Sequence, residues 1–277
     1  MVMFLLSHTI LFIFKSIKKL IFPRINLGDF QILYLSNNYL VAYKPYDLLM
    51  NSDNPTVETL QTLLSNKCPA LANPRLGHQF HFIHRLDFIT SGVVCVALTK
   101  KAAKEAGNHF SDREVKKFYV ALVRGWPSQN FICINEPIGE DKNELLTSKK
   151  MCIGSDKNCI KARNAQTRVL VLETGFYQNY PASKVLLSPL TGRRHQLRVH
   201  LSYLGHTIIG DFTYSNKKDV EPPRTFLHSL WIRIPSQLEE NKIVDVKTED
   251  PFERTSQWKP LKKIHSINDS NSFKLLE

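Results

Sequence analysis

The residue best placed to do chemistry in this chain is Asp87, inside His84-Arg85-Leu86-Asp87-Phe88-Ile89-Thr90-Ser91-Gly92. That segment is a polar knot between two apolar runs, Phe80-His81-Phe82-Ile83 before it and Val93-Val94-Cys95-Val96-Ala97-Leu98 after it. Arg85 and Asp87 are two residues apart, so an extended backbone projects both from one face. Thr90-Ser91-Gly92 supplies hydroxyls and a permissive glycine for the turn into the next strand. A carboxylate at a bend between buried strands is either half of a structural ion pair or a reactive group, because burying it alone is costly. Taken by itself, Arg-x-Asp favours the structural pair. A sugar hydrolase needs a second carboxylate at a set separation, and no comparably placed acid stands out. No His-Glu-x-x-His or Asp-x-Asp-x-Asp run points to a metal.

Two other clusters carry chemistry. Thr191-Gly192-Arg193-Arg194-His195-Gln196-Leu197-Arg198-Val199-His200 gathers three arginines and two histidines on one short stretch. It reads as a solvated basic face, as a phosphate grip, or as the source of one arginine turned inward to hold a carboxylate bidentately. His195 and His200 read as hydrogen-bonded structural residues rather than metal ligands. In Lys116-Lys117-Phe118-Tyr119-Val120-Ala121-Leu122-Val123, Tyr119 alternates with apolar neighbours. Its ring is either core with a hydroxyl at the rim or a shelf for an unstacked base, and Lys116 and Lys117 suit a nearby phosphate backbone.

The elements that must hold these residues follow from periodicity. Residues 30–34 and 39–44 read as a hairpin around Ser36-Asn37-Asn38, ended by Pro45. Residues 56–64 carry helical spacing with Thr56 as cap, and Thr99 caps a second helix to about Phe110. Strands are expected at 93–98, 115–124, 131–138, 165–174, 183–188, 226–234 and 242–248. Residues 139–164, polar and rich in Lys, Asn and Asp, read as a surface insertion or a poorly structured excursion. Thr191-Gly192 opens a helix from Arg193 to Leu204, with Leu197, Leu201 and Leu204 inward and Arg194 and Arg198 sharing another face. The end from Asn268 reads as frayed. The order of elements argues α+β rather than a regular βαβ winding.

The chain has 277 residues, 43% hydrophobic, enough for a substantial core. Its formal charge of +12 suits a polyanion, RNA first and a membrane surface second. The five cysteines are scattered with no Cys-x-x-Cys, which argues against a disulfide framework or zinc site and for a reducing compartment. Cys95 reads as a small core residue. Three parts are expected: an apolar and basic extension at 1–28, a catalytic domain at 29–265 and a tail at 266–277. The apolar start is shorter than the roughly 18–20 residues that span a bilayer and lacks a secretory cleavage pattern. A cytoplasmic location is expected, with a mitochondrial presequence as the alternative. Membrane contact through residues 1–22 is the less favoured reading.

Together and in order, these segments resemble the RluA-type RNA pseudouridine synthases, including the animal members, over roughly residues 30–252. Leu40-Val41-Ala42-Tyr43-Lys44-Pro45 resembles the family's opening strand, and His84–Gly92 its aspartate motif. Lys116–Gly125 resembles the tyrosine motif, Ser188–Tyr214 the third motif, and Phe226-Leu227-His228-Ser229-Leu230 the segment after it. Arg194 stands where the family commonly has threonine. The 28 residues before the domain are fewer than the small RNA-binding domain of many bacterial members needs, so the catalytic domain is expected to grip the substrate itself. The resemblance implies a pseudouridine synthase fold, with a mixed, largely antiparallel bent sheet, flanking helices and a central cleft.

It also implies a catalytic set. Asp87 is the nucleophilic carboxylate, Tyr119 stacks on the uracil where the late proton leaves, and Arg198 pairs with Asp87. Arg85 helps eject the target base or fills its place. Substrate contacts are further expected from His84, Lys44, Arg193, Arg194, His195 and Leu227. No metal or nucleotide cofactor is implied. The expected partner is structured RNA, whether ribosomal, transfer or messenger, and the expected state is a monomer. The rival reading is an RNA-binding or RNA-remodelling protein that does no chemistry.

Overall fold

The computed structural model describes residues 30–277. The expectations for residues 1–28, membrane contact by residues 1–22 among them, lie outside the described residues. The chain runs β1 (Gln31–Leu35), β2 (Tyr39–Lys44), α1 (Leu60–Lys67), β3 (His81–Phe82), β4 (Ser91–Ala97), α2 (Lys100–Ser111), β5 (Lys116–Arg124) and β6 (Phe131–Ile134). It continues through β7 (Ile138–Asp141), β8 (Met151–Ile153), β9 (Cys159–Arg163), β10 (Thr167–Tyr177), β11 (Tyr180–Pro189) and α3 (Gln196–Tyr203). The last elements are β12 (Leu227–Pro235), β13 (Ile243–Lys247), β14 (Trp258–Lys263) and α4 (Ser270–Lys274).

Eleven strands form one mixed sheet along the path β1-β2-β4-β12-β5-β11-β10-β14, with β3, β6 and β13 pairing off it. Antiparallel pairing dominates, and the parallel contact joins β4 to β12 at Ser91–His228 and Gly92–Ser229. The fold is α+β with few helices, as the order of elements implied.

β5 shows why the site lies where it does. Its sequence is one apolar run because both of its faces are buried. Phe118, Val120 and Leu122 pack into a core with Leu170, Leu186 and Phe226. Tyr119, Ala121 and Val123 face another core with Val185, Leu187, Leu197 and Leu201. α3 therefore lies on the Tyr119 face, through the leucine stripe that its spacing predicts. Gly92 is required where β4 meets β12. Its φ is 111°, and a Cβ there would overlap the Ser229 carbonyl.

Local chemistry moves several boundaries. α1 starts at Leu60 with Thr59 as cap, not Thr56. Thr59 and Thr62 form a reciprocal capping box, whereas Asn54 Oδ1 accepts from both the backbone N–H and the hydroxyl of Thr56. Thr99 does cap α2, accepting from the Ala102 N–H at 3.1 Å. The strand expected over 131–138 breaks into β6 and β7, with Pro137 between them. α3 starts at Gln196 rather than Arg193, because His195 takes a left-handed φ of 55° and ends the preceding turn. Arg194 therefore lies outside the helix and does not share a helical face with Arg198.

Residues 139–164 are not a loose excursion. β7, β8 and β9 form their own sheet in the order β8-β7-β9, and Ile138 and Met151 pack with Val199 of α3 and with Tyr214. Nor is the end of the chain frayed. Asp269 caps α4, and Phe273 and Leu276 are buried in the core that contains Phe118. Cys95 is fully buried, as expected, and the five cysteines are free thiols.

Candidate active site

A cavity of about 550 Å³ opens where the β4 loop, β5 and the α3 approach meet. Its lining includes Asp87, Tyr119, Arg198 and Leu227, with Arg85 and Arg193 among the cations. The three residues expected to be catalytic are thus brought to one cleft.

Asp87 sits on a turn closed by the Thr90 N–H donating to the Asp87 carbonyl at 3.1 Å. Its side chain is 19% exposed and faces Arg198, with Nη1 to Oδ2 at 3.6 Å. That is ion-pair range, longer than a hydrogen bond. The guanidinium is anchored elsewhere. Arg198 Nε donates to Asp211 Oδ2 at 2.6 Å and Nη2 to Asp211 Oδ1 at 2.8 Å, a buried bidentate fork. Asp211 is 1% exposed and also accepts from the Tyr214 N–H. The expectation of one arginine turned inward to hold a carboxylate is met, but its forked partner is Asp211 and its third nitrogen serves Asp87. Arg198 also lies 4.8 Å over the ring of Tyr214.

Sequence reasoning passed over Asp211 and Tyr214. Asp211 follows Ile208-Ile209-Gly210, and an acid placed directly after a buried apolar run was the available signal.

Tyr119 is 9% exposed and points into the same cleft. Burial first, and then the nearby Asp87 charge, push its phenol up to about 12, against the Ser229 hydroxyl, so the group is neutral at neutral pH. Leu227 is buried beside it, on β12 opposite Ala121 of β5.

The other expected substrate residues divide. Arg85 is exposed at the cavity lining. Arg193 Nε donates to the Asn164 carbonyl at 3.0 Å, and Arg194 is committed to the insertion through the Lys149 carbonyl at 2.9 Å. Both still line the cavity. His195 Nδ1 pairs with the Tyr214 hydroxyl at 3.1 Å. That hydroxyl also accepts the Met151 N–H, which ties the insertion to the site.

One assignment needs correction. Lys44 is fully buried and lies off the cavity lining. Its ammonium donates to the carbonyls of Pro45, Leu48 and Phe88, at 2.9, 2.7 and 3.2 Å. It clamps the loop beside Asp87 and has no donor left for a substrate. Burial pushes it down to about 7, opposed by Asp47 and Asp87. His84 lines the cavity, but its Nε2 accepts the Cys95 N–H at 2.9 Å and its ring stacks on Phe110. That nitrogen is used to hold β4.

Four imidazoles are held toward the neutral form by burial. It lowers His84 to about 3, His195 to about 4 and His228 to about 3, and it moves His200 in the same direction. In the unfolded chain they titrate near about 6.5. Between that value and the folded ones the unfolded state binds more protons, so stability is full above about pH 6.5 and is lost as pH falls through the window. Denaturant unfolding followed against pH should show stability falling with a slope of at least about three protons near pH 5. A flat profile between pH 6.5 and 4 would contradict these neutral rings.

A carboxylate, an aromatic ring and a guanidinium on one cleft lined with arginines suit an enzyme acting on a planar group carried by a polyanion. The comparisons with known proteins agree. A family model described as RNA pseudouridylate synthase matches residues 38–203. The zebrafish RNA pseudouridylate synthase domain-containing protein 1 is 40% identical over 247 residues, spanning 88% of this chain and 83% of that protein. The dual-specificity RNA pseudouridine synthase RluA of Escherichia coli K12 is 35% identical over 206 residues, 73% of this chain and 85% of that one. The solved human RNA pseudouridylate synthase domain containing 1 superposes with a TM-score of 0.77 at 38% identity, covering 90% of this chain and 95% of that chain. The chain belongs to the RNA pseudouridylate synthase family and is a pseudouridine synthase, an isomerase acting on RNA.

Proposed function

We propose that the protein isomerises uridine to pseudouridine in structured RNA with Asp87 as its nucleophile. The observation that carries this reading is the convergence of Asp87, Tyr119, Arg198 and Leu227 on one cavity. The target nucleotide must leave its helix, at a cost of a few kcal/mol, because a paired base cannot turn. Arg85, exposed at the cavity lining, fills the gap left in the stack. The Asp87 carboxylate attacks ribose C1′ and the N1–C1′ bond breaks, its electron pair leaving on uracil. The freed base stays between the Tyr119 ring and Leu227, turns, and bonds to C1′ through C5 as Asp87 departs. The C5 proton is then removed beside Tyr119 and N1 takes one up, so substrate and product have the same composition. Arg198 holds Asp87 in place while its own position is set by Asp211.

A binding protein without chemistry has no use for this arrangement, since a carboxylate facing the cleft repels a phosphate backbone. Pseudouridine mapping on RNA from cells lacking the protein, before and after incubation with purified enzyme, tests the reading. New pseudouridines at defined uridines are expected. An unchanged map would refute it.

A further inference from the structure

Lys117 is the group for which the chemistry above finds no use. It lies two residues before Tyr119 on β5 and so on the same face, about 6.6 Å along the strand. Lys116 points the other way, so only one of the two neighbouring lysines reaches the cleft. The Lys117 ammonium lies over the Phe110 ring, 5.7 Å from its centroid, and against Gly192, within 3.8 Å of where a Cβ would be. Both are cavity-lining residues. No carboxylate accompanies it among the described residues, and its amine has no hydrogen-bond partner there. Burial alone pushes it down to about 8, with no neighbouring charge opposing that shift.

A desolvated ammonium with no counter-ion is costly to keep, and hydrocarbon of similar length would pack as well. Arg113 lines the same cavity. It is an exposed arginine held at a left-handed φ of 62°, without an ion-pair partner among the described residues. Arg113 and Thr191 also line a second hollow of about 230 Å³, with Asn135, Asn164 and Gln166. The two hollows therefore adjoin at Arg113 and Thr191, which line both.

We infer that Lys117 and Arg113 form a phosphate subsite that grips the RNA backbone next to the target uridine and directs the strand into the second hollow. This rests on the RNA reading above and adds to it the point at which the backbone is held. Lys117 lies off the reacting base and acts on ground-state binding of the nucleic acid.

The test is the salt dependence of binding, with a pool of short fragments of total cellular RNA as the probe. Lys117→Met should weaken binding several-fold and lower the slope of log affinity against log salt by about one. Lys117→Arg should keep the wild-type slope, and Arg113→Gln should lower it as Lys117→Met does. The melting temperature of Lys117→Met should equal or exceed wild type, because an unpaired charge is removed. An unchanged slope in folded Lys117→Met overturns the subsite, as does failure of the wild type to bind the pool. So does a variant that binds normally but turns over bound RNA more slowly, which would place the ammonium on the base. Wild-type turnover is measured separately, so loss of the subsite and loss of the enzyme reading are distinguishable.

Discussion

Asp87→Asn is expected to abolish pseudouridine formation, by roughly ten-thousand-fold or more, while the protein stays folded and still binds RNA. The change is nearly isosteric, and the amide sits on a side chain that is 19% exposed, where water can meet it. No charge is stranded, because Arg198 keeps its bidentate hold on Asp211. RNA binding should hold or tighten slightly, since a negative charge facing a polyanion is gone. On the proposed mechanism, what is lost is the lone pair that attacks C1′, which an amide cannot replace. Nucleoside chromatography of digested RNA, beside a binding titration and a melt, reads all three. Loss of folding together with activity would mean that Asp87 is half of a structural pair.

Arg198→Met should behave differently and fail on two counts. Asp211, 1% exposed, would be left as a buried carboxylate whose remaining donor is the Tyr214 N–H. Breaking a buried pair from one side costs about 3–5 kcal/mol, and denaturant unfolding would show it. Turnover should collapse as well, because Asp87 loses the charge facing it at 3.6 Å. Arg198→Lys separates the two effects. An ammonium can stay near Asp211, but it cannot form the fork and also reach Asp87. It should recover much of the stability and little of the activity. If Arg198→Met unfolds at the wild-type denaturant concentration, the buried fork contributes nothing to the fold.

The residues that are legible in the chain are those whose role is local. The Asp87 knot, the Tyr119 strand and the leucine stripe of α3 could each be read from spacing, and the core faces of β5 and α3 bring them together. Asp211 escaped because its partner is 13 positions away in sequence and the pairing exists only once α3 turns back. Lys44 was misassigned for a related reason. A lysine before a proline reads as an available cation, and only the folded loop shows three carbonyls using up its donors. The 139–164 insertion looks loose because its strands are short and polar outside. Its order comes from Met151 and Ile138 packing against Val199 and Tyr214, contacts that no period along the chain records. The start of α3 was misplaced because only the backbone reveals the left-handed turn at His195.

Release of tritium from RNA labelled at uracil carbon 5 tests the reaction most directly, because joining C5 to ribose must expel the hydrogen there. Purified wild-type protein should transfer label to water in step with pseudouridine formed, and Asp87→Asn should transfer none. Wild-type protein that binds the RNA yet leaves every label in place, or an Asp87→Asn variant that releases it at the wild-type rate, would contradict the chemistry assigned to this cleft.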